Sequence, residues 1–119
     1  MNFDKFYDKV YSPNYRCNNF VAEVWKECFK QNIDSALLGS NPRCSGNVLD
    51  AHTRRMILEP SGPCLAVFSN PGQESHVGIL IDGKVLHLTE FGVCWIELEC
   101  VSRWYKRLRF YDVKTNNNS

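Results

Sequence analysis

Cys17, His76 and His87 have the side chains of a nucleophilic catalytic site. A cysteine thiolate is a strong nucleophile, and an imidazole near its neutral form can accept the thiol proton. A second imidazole can hold the first in one orientation and one tautomer. The chemistry open to such a set is attack on a carbonyl carbon, provided that the fold brings the three side chains together.

The two histidines flank an Asp82–Gly83 turn. Asp-Gly between alternating apolar residues predicts a β-hairpin with a two-residue turn. If the residues on either side of the turn pair with each other, the side chains of His76 and His87 share one face of the hairpin as diagonal neighbours, with Cα atoms roughly 7–8 Å apart. Gly78 lies between them on that face and is expected to leave open room there.

Apolar residues recur at helical spacing from Cys17 onward and predict an amphipathic helix that ends near Lys30. Two helix starts are consistent with the sequence: Asn14 as the N-cap, or Ser12 as the N-cap followed by Pro13. Both place Cys17 close to the positive end of the helix dipole. With a histidine partner, this position is expected to lower the thiol pKa from about 8.5 into the range of roughly 3.5–7.5.

The rest of the chain predicts an α+β fold, with N-terminal helices packed on a C-terminal antiparallel sheet of about five strands. A second helix is predicted from about Gly46 to Leu58. The predicted strands are Cys64–Ser69, His76–Ile81, Lys84–Thr89, Val93–Glu99 and Leu108–Val113. Residues 1–113 are expected to form a single domain and residues 114–119 a polar tail.

The net charge and the hydropathy of the chain argue against binding to nucleic acid and against binding to or insertion in a membrane. The chain has 119 residues and a formal charge of +1, which argues against binding to nucleic acid or to an anionic membrane. The apolar run Val77–Ile81 is too short to insert in a bilayer. Asp4, Lys5 and Asp8 interrupt the first ten residues, so we expect synthesis in the cytoplasm without a signal peptide.

The six cysteines are expected to be free thiols, since no export signal accompanies them. No C-x-x-C or H-x-x-x-H pair occurs, so neither a metal nor another cofactor is expected. A zinc ion held by Cys17, His76 and His87 is a weaker alternative interpretation of the same three side chains.

Several stretches together resemble the NlpC-type papain-like cysteine peptidases. They are Tyr15-Arg16-Cys17-Asn18-Asn19-Phe20-Val21, Ser75-His76-Val77-Gly78-Ile79, Val85-Leu86-His87, Gly92-Val93 and Trp104-Tyr105-Lys106-Arg107. The resemblance covers most of residues 10–113 and is strongest to the small, single-domain versions found in bacteriophage tail gene regions. It implies a papain-like NlpC-type fold.

The resemblance also implies roles for individual residues. Cys17 would be the nucleophile, His76 the general base and His87 the residue that orients His76. Tyr11 or Tyr15 would correspond to a tyrosine that shapes the oxyanion site in many family members, and Asn18 is a further candidate for the substrate or oxyanion site. The substrate would be the peptidoglycan stem peptide, cleaved next to D-glutamate and diaminopimelate. The protein would reach the cell wall in a virion or by another route that needs no signal peptide, with phage tail proteins as partners.

The chain departs from the family pattern beside the nucleophile. Family members usually have Asp before the cysteine and Ser-Gly after it, whereas Arg16, Asn18 and Asn19 stand here. This difference bears on substrate choice. Two other functions remain open: a phage tail assembly protein that keeps the fold without catalysis, and a cysteine acyltransferase or thioesterase. The latter would have an acyl pocket instead of an open peptide groove.

Overall fold

A computed structural model describes residues 3–33, 54–57 and 62–113. A 3₁₀ helix at Asp4–Phe6 precedes helix α1, Cys17–Phe29, and a second helix, α2, spans Leu98–Ser102. The strands are β1 Arg54–Ile57, β2 Cys64–Ser69, β3 His76–Ile81, β4 Lys84–Thr89, β5 Gly92–Glu97 and β6 Arg107–Val113. All pairings are antiparallel, in the order β1-β6-β2-β3-β4-β5. The α+β class and the five predicted strand positions are therefore confirmed.

The structure differs from the prediction at the C-terminal ends of two elements, the second helix and the fourth strand. The predicted second helix overlaps Arg54–Ile57, which instead forms β1 and pairs with β6. Apolar spacing could not reveal this, because a strand at this position depends on a partner more than fifty residues away. The predicted fourth strand stops at Glu97, where the Leu98 N–H donates to the Gly83 carbonyl at 3.1 Å and α2 begins.

Some predictions lie outside the described residues: the rest of the predicted second helix and the polar tail. Among the described residues, no helix is long and apolar enough to cross a membrane.

Each face of the sheet carries its own apolar cluster. On one face, α1 packs its buried side chains against β3 and β4; the cluster includes Phe20, Val21, Val24, Trp25, Val77, Ile79, Leu86 and Leu88. The opposite face holds Cys64, Ala66, Phe68, Leu80, Val85 and, from α2, Val101. Because neighbouring strand residues alternate between faces, His76 and His87 lie on the second face, away from the body of α1.

The β3–β4 hairpin has the predicted turn. Asp82 and Gly83 have φ values of 54° and 79°, as a type I′ turn requires, and Ile81 pairs with Lys84. The open room expected at Gly78 is absent, however. A Cβ atom at Gly78 would lie 2.5 Å from Val85 Cγ1 and 3.1 Å from His87 Cβ. Glycine is needed here because the neighbouring strand already occupies this space.

Helix α1 begins later than either predicted cap allows. Its N-cap is Arg16, whose backbone N–H donates to Asn19 Oδ1 at 2.9 Å. Ser12 instead exchanges two backbone hydrogen bonds of 3.0 Å with Tyr15, which forms a tight turn before the helix. Neither Asn14 nor Ser12 is the N-cap, and Cys17 is the first helical residue.

Candidate active site

The two histidines of the hairpin form a direct hydrogen bond. His76 Nε2 lies 2.8 Å from His87 Nδ1, with the ring centroids 5.0 Å apart and the planes at 74°. The predicted placement of both imidazoles on one face is therefore confirmed. His87 is 2% exposed, whereas His76 is partly exposed. Because Nε2 of His76 takes part in this bond, Nδ1 is the His76 ring nitrogen that can interact with another group.

An aromatic side chain from the C-terminal part of the chain covers His76. The Tyr105 ring stacks on the His76 ring with centroids 6.0 Å apart and planes at 4°. Asn70 forms hydrogen bonds with the backbone on both sides of Tyr105. Its side-chain amide donates to the Trp104 carbonyl at 3.1 Å, and its Oδ1 accepts from the Lys106 N–H at 2.8 Å. The loop after β2 thus fixes the ring that holds His76 in place.

Burial keeps both imidazoles neutral. Desolvation lowers the pKa of His87 to about 4. Desolvation, with a smaller contribution from neighbouring His87, lowers the pKa of His76 to about 3. A charged imidazolium would lose its hydration at this position, which is why the neutral form is favoured. At neutral pH, His76 is therefore in the form that can accept a proton.

The Cys17 sulfur lies at the end of the β3–β4 ladder, against the backbone of Val77, the residue that follows His76. The ladder runs from Ile81↔Lys84 to Ile79↔Leu86 and stops there. In an antiparallel pair the hydrogen-bonding direction alternates, so the Val77 N–H points toward β4 but lacks a ladder partner there. It points at the Cys17 sulfur instead, as does the Asn18 N–H.

The predicted direction of the Cys17 pKa shift is wrong. Burial raises the pKa of the thiol, and this outweighs the lowering by the Val77 N–H, by the Arg16 charge and by the Asn18 N–H. The helix start does favour a thiolate, but the sulfur is too far removed from water for that effect to dominate. The Cys17 thiol and the His76 imidazole are therefore both in their neutral forms.

A cavity of about 500 Å³ brings the proposed catalytic side chains together. It is lined by Tyr11, Arg16, Cys17, Glu74, Ser75, His76, His87, Leu88, Thr89, Glu90, Phe91, Cys94, Ile96, Trp104 and Tyr105. Leu88 and His87 project to opposite faces of the sheet, yet both line it. The cavity therefore extends around the end of the hairpin, where Cys17 lies.

Of the three residues expected to shape the oxyanion or substrate site, Tyr11, Tyr15 and Asn18, one lines the cavity and two do not. Tyr11 lines the cavity. The Tyr15 hydroxyl donates to Glu23 at 2.9 Å, and Tyr15 is not among the lining residues. Asn18 directs its backbone N–H toward the sulfur of Cys17 but is not a lining residue either.

Ser75 is a polar cavity residue that the sequence did not single out as functional. It is 5% exposed, and its hydroxyl has no hydrogen-bond partner within the described part of the chain. The Nε2 atom of His87 is buried and unpartnered in the same way. Buried polar atoms normally find partners, so these two are suited to a substrate group or an ordered water. The position of Ser75 directly before His76 was the available signal in the sequence. Tyr105 lies in one of the stretches quoted above, but no sequence signal indicated that its ring stacks on His76.

The described residues include no group of three or more His, Cys, Asp or Glu side chains arranged to hold a metal ion, and their five cysteines are free thiols. Comparisons with protein-family models, curated proteins and solved structures find no match for this chain.

Proposed function

We propose that this protein is a cysteine peptidase or amidase, with Cys17 as nucleophile, His76 as general base and His87 as the residue that orients His76. The observation that carries the proposal is that one cavity is lined by a thiol at a helix start and by a hydrogen-bonded pair of neutral imidazoles. The thiol belongs to α1 and the two imidazoles belong to the β3–β4 hairpin, and these elements are remote in sequence.

The reaction begins with proton transfer from the Cys17 thiol to Nδ1 of His76. This requires the His76 tautomer with its proton on Nε2, donated to Nδ1 of His87. The sulfur forms a bond to the substrate carbonyl carbon, and the carbonyl π electrons move to oxygen. Collapse of this tetrahedral species breaks the C–N bond, and the departing amine takes the proton from Nδ1 of His76.

The second half of the reaction hydrolyses the thioester and regenerates the Cys17 thiol. Water adds to the thioester carbonyl while His76 accepts one of its protons. Collapse then expels the Cys17 sulfur, which recovers the proton from His76, and the acid product leaves. The backbone N–H of Cys17 and the unpartnered hydroxyl of Ser75 are the proposed donors to the oxyanion. Such donors contribute most where water is excluded, as at this buried end of the hairpin.

The proposed substrate is the peptidoglycan stem peptide, next to D-glutamate and diaminopimelate, and the proposed setting is a phage or prophage tail. Both rest on the resemblance of the Cys17, His76 and His87 segments to NlpC-type peptidases, as does the proposed papain-like NlpC-type fold. The antiparallel sheet with α1 packed on one face supports only the coarser α+β description of that fold.

The decisive experiment is digestion of purified peptidoglycan by the protein and by Cys17→Ala, with soluble peptide fragments measured by mass spectrometry. Cys28→Ala is the matched control, since Cys28 lies on the same helix but does not line the cavity. We expect release by the unmutated protein and by Cys28→Ala, and none by Cys17→Ala. If the unmutated protein releases nothing from walls of several chemistries, the tail assembly function is favoured instead.

A further inference from the structure

The cavity beside Cys17 is surrounded mainly by apolar and aromatic side chains. Leu88 and Ile96 form part of its wall, and Phe91 and Trp104 lie at its opening. Phe91 is 97% exposed and Trp104 is 64% exposed, so two large rings of the cavity that Cys17 also lines face solvent. Exposed apolar surface at the edge of a pocket of this size is typical of a ligand site.

The cavity offers little to a negatively charged ligand. Among the described residues that line it, Arg16 is the only lysine or arginine, and its guanidinium pairs with Glu74. Glu90 adds a carboxylate, and both imidazoles are held neutral by burial. A carboxylate in this space would lose hydration without gaining an unpaired cation.

We propose that the acyl group transferred to Cys17 is apolar and uncharged, and that this cavity holds it. The inference rests on the proposed function and narrows its substrate: the residue on the carbonyl side of the cleaved bond is an uncharged one. In a stem peptide, D-glutamate and diaminopimelate would then both lie on the leaving side, so the cleaved bond would be the one before D-glutamate. An apolar acyl group could arrive as an amide, as in the proposed peptidase, or as a thioester, as in the acyltransferase or thioesterase alternative that an acyl pocket favours; the two sources share this chemistry.

The test compares two acylating probes that differ in one group, p-nitrophenyl hexanoate and mono-p-nitrophenyl adipate. They have the same chain, with a terminal methyl in the first and a carboxylate in the second. Single-turnover release of p-nitrophenol gives the acylation rate, and mass spectrometry locates the acyl group. Each rate is divided by the rate of the same ester with free dithiothreitol, which removes differences in intrinsic reactivity.

We expect the hexanoate to acylate Cys17 faster than the adipate by about tenfold or more, because the carboxylate must be desolvated. Phe91→Ala and Trp104→Ala should each reduce this ratio by about threefold or more through lost apolar contact. Tyr7→Ala is the matched control, since Tyr7 is also an exposed aromatic residue but does not line the cavity. Its ratio should equal that of the unmutated protein.

The outcomes separate this inference from the proposed function. Acylation of Cys17 at equal normalised rates by both esters overturns the inference but leaves the nucleophile in place. Absence of acylation at Cys17 with either ester overturns both. Where the apolar preference holds, hexanoyl p-nitroanilide and a hexanoyl thioester of N-acetylcysteamine then distinguish an amide source from a thioester source.

Discussion

Arg16 and Glu74 form an ion pair that joins the start of α1 to the segment before β3. Arg16 directly precedes Cys17, and Glu74 lies two residues before His76. The contact therefore ties together the two segments that carry the proposed nucleophile and the proposed base. Both side chains are partly exposed, so the pair is expected to contribute less to the stability of the fold than to the geometry of the site.

Glu74→Gln is expected to lower kcat/KM by roughly tenfold, since small displacements of a nucleophile from its base are costly. The free energy of unfolding should change by less than about 1 kcal/mol, as for other partly exposed ion pairs. Steady-state kinetics and urea unfolding measure the two effects. Glu27→Gln is the control, because it breaks a 3.0 Å ion pair with Lys5 away from the cavity. Equal activity losses in the two variants would contradict the positioning role.

His87→Leu is expected to lower kcat by about 10²-fold or more, within the range that general-base catalysis contributes. The variant removes the Nδ1 atom that accepts the His76 Nε2 proton in the proposed mechanism. His87→Asn should restore much of the activity, because its side-chain oxygen can accept that proton from nearly the same position. Comparison of kcat for the two variants, with folding checked by circular dichroism, tests the orienting role. Equal defects would count against it.

The pH dependence of kcat/KM should lack the acid limb near 6.5 that an unperturbed histidine would produce. His76 acts as a base only when neutral, and its pKa is lowered to about 3. Activity should therefore persist well below the ordinary histidine pKa and decline only as the fold itself loses stability. A kcat/KM profile from about pH 4 to about pH 9 measures this. An acid limb centred at the ordinary histidine pKa would show that the free enzyme holds His76 in a more hydrated setting.

The free energy of unfolding should fall as the pH decreases from about 6.5 toward about 4. In this window the unfolded histidines bind protons. Folded His87, with a pKa of about 4, and folded His76, with a pKa of about 3, do not. Acid therefore favours the unfolded state. Urea titrations at several pH values should show a weaker dependence for the double variant His76→Asn/His87→Asn. If the unfolding free energy of the double variant depends on pH as steeply as that of the unmutated protein, His76 and His87 are not the source of the dependence.

Gly78→Ala should destabilise the fold by about 1–3 kcal/mol, because the new methyl group overpacks a filled position. The added Cβ would lie 2.5 Å from Val85 Cγ1 and 3.1 Å from His87 Cβ. Activity of the folded fraction should also fall as His87 shifts. Gly62→Ala provides the control, since a Cβ atom at Gly62 would meet no described atom within 4 Å. Thermal unfolding of both variants makes the comparison, and equal melting temperatures would refute the packing argument.

Local patterns in the sequence were sufficient for the hairpin and for most of α1. Asp82–Gly83 specifies its turn because a type I′ turn needs positive φ at both central residues, and this turn then sets the register that brings His76 and His87 to one face. The apolar stripe that begins at Cys17 similarly predicts which face of α1 is buried. Both depend on residues near each other in the chain.

Only the tertiary structure decided the surroundings of these residues. The stacking of Tyr105 on His76, the ion pair of Arg16 and the pairing of β1 with β6 join segments that are distant in sequence. The pKa of Cys17 is the clearest case. The helix start alone predicts a lowered value, but the value is raised, because hydration of the sulfur depends on everything packed around it.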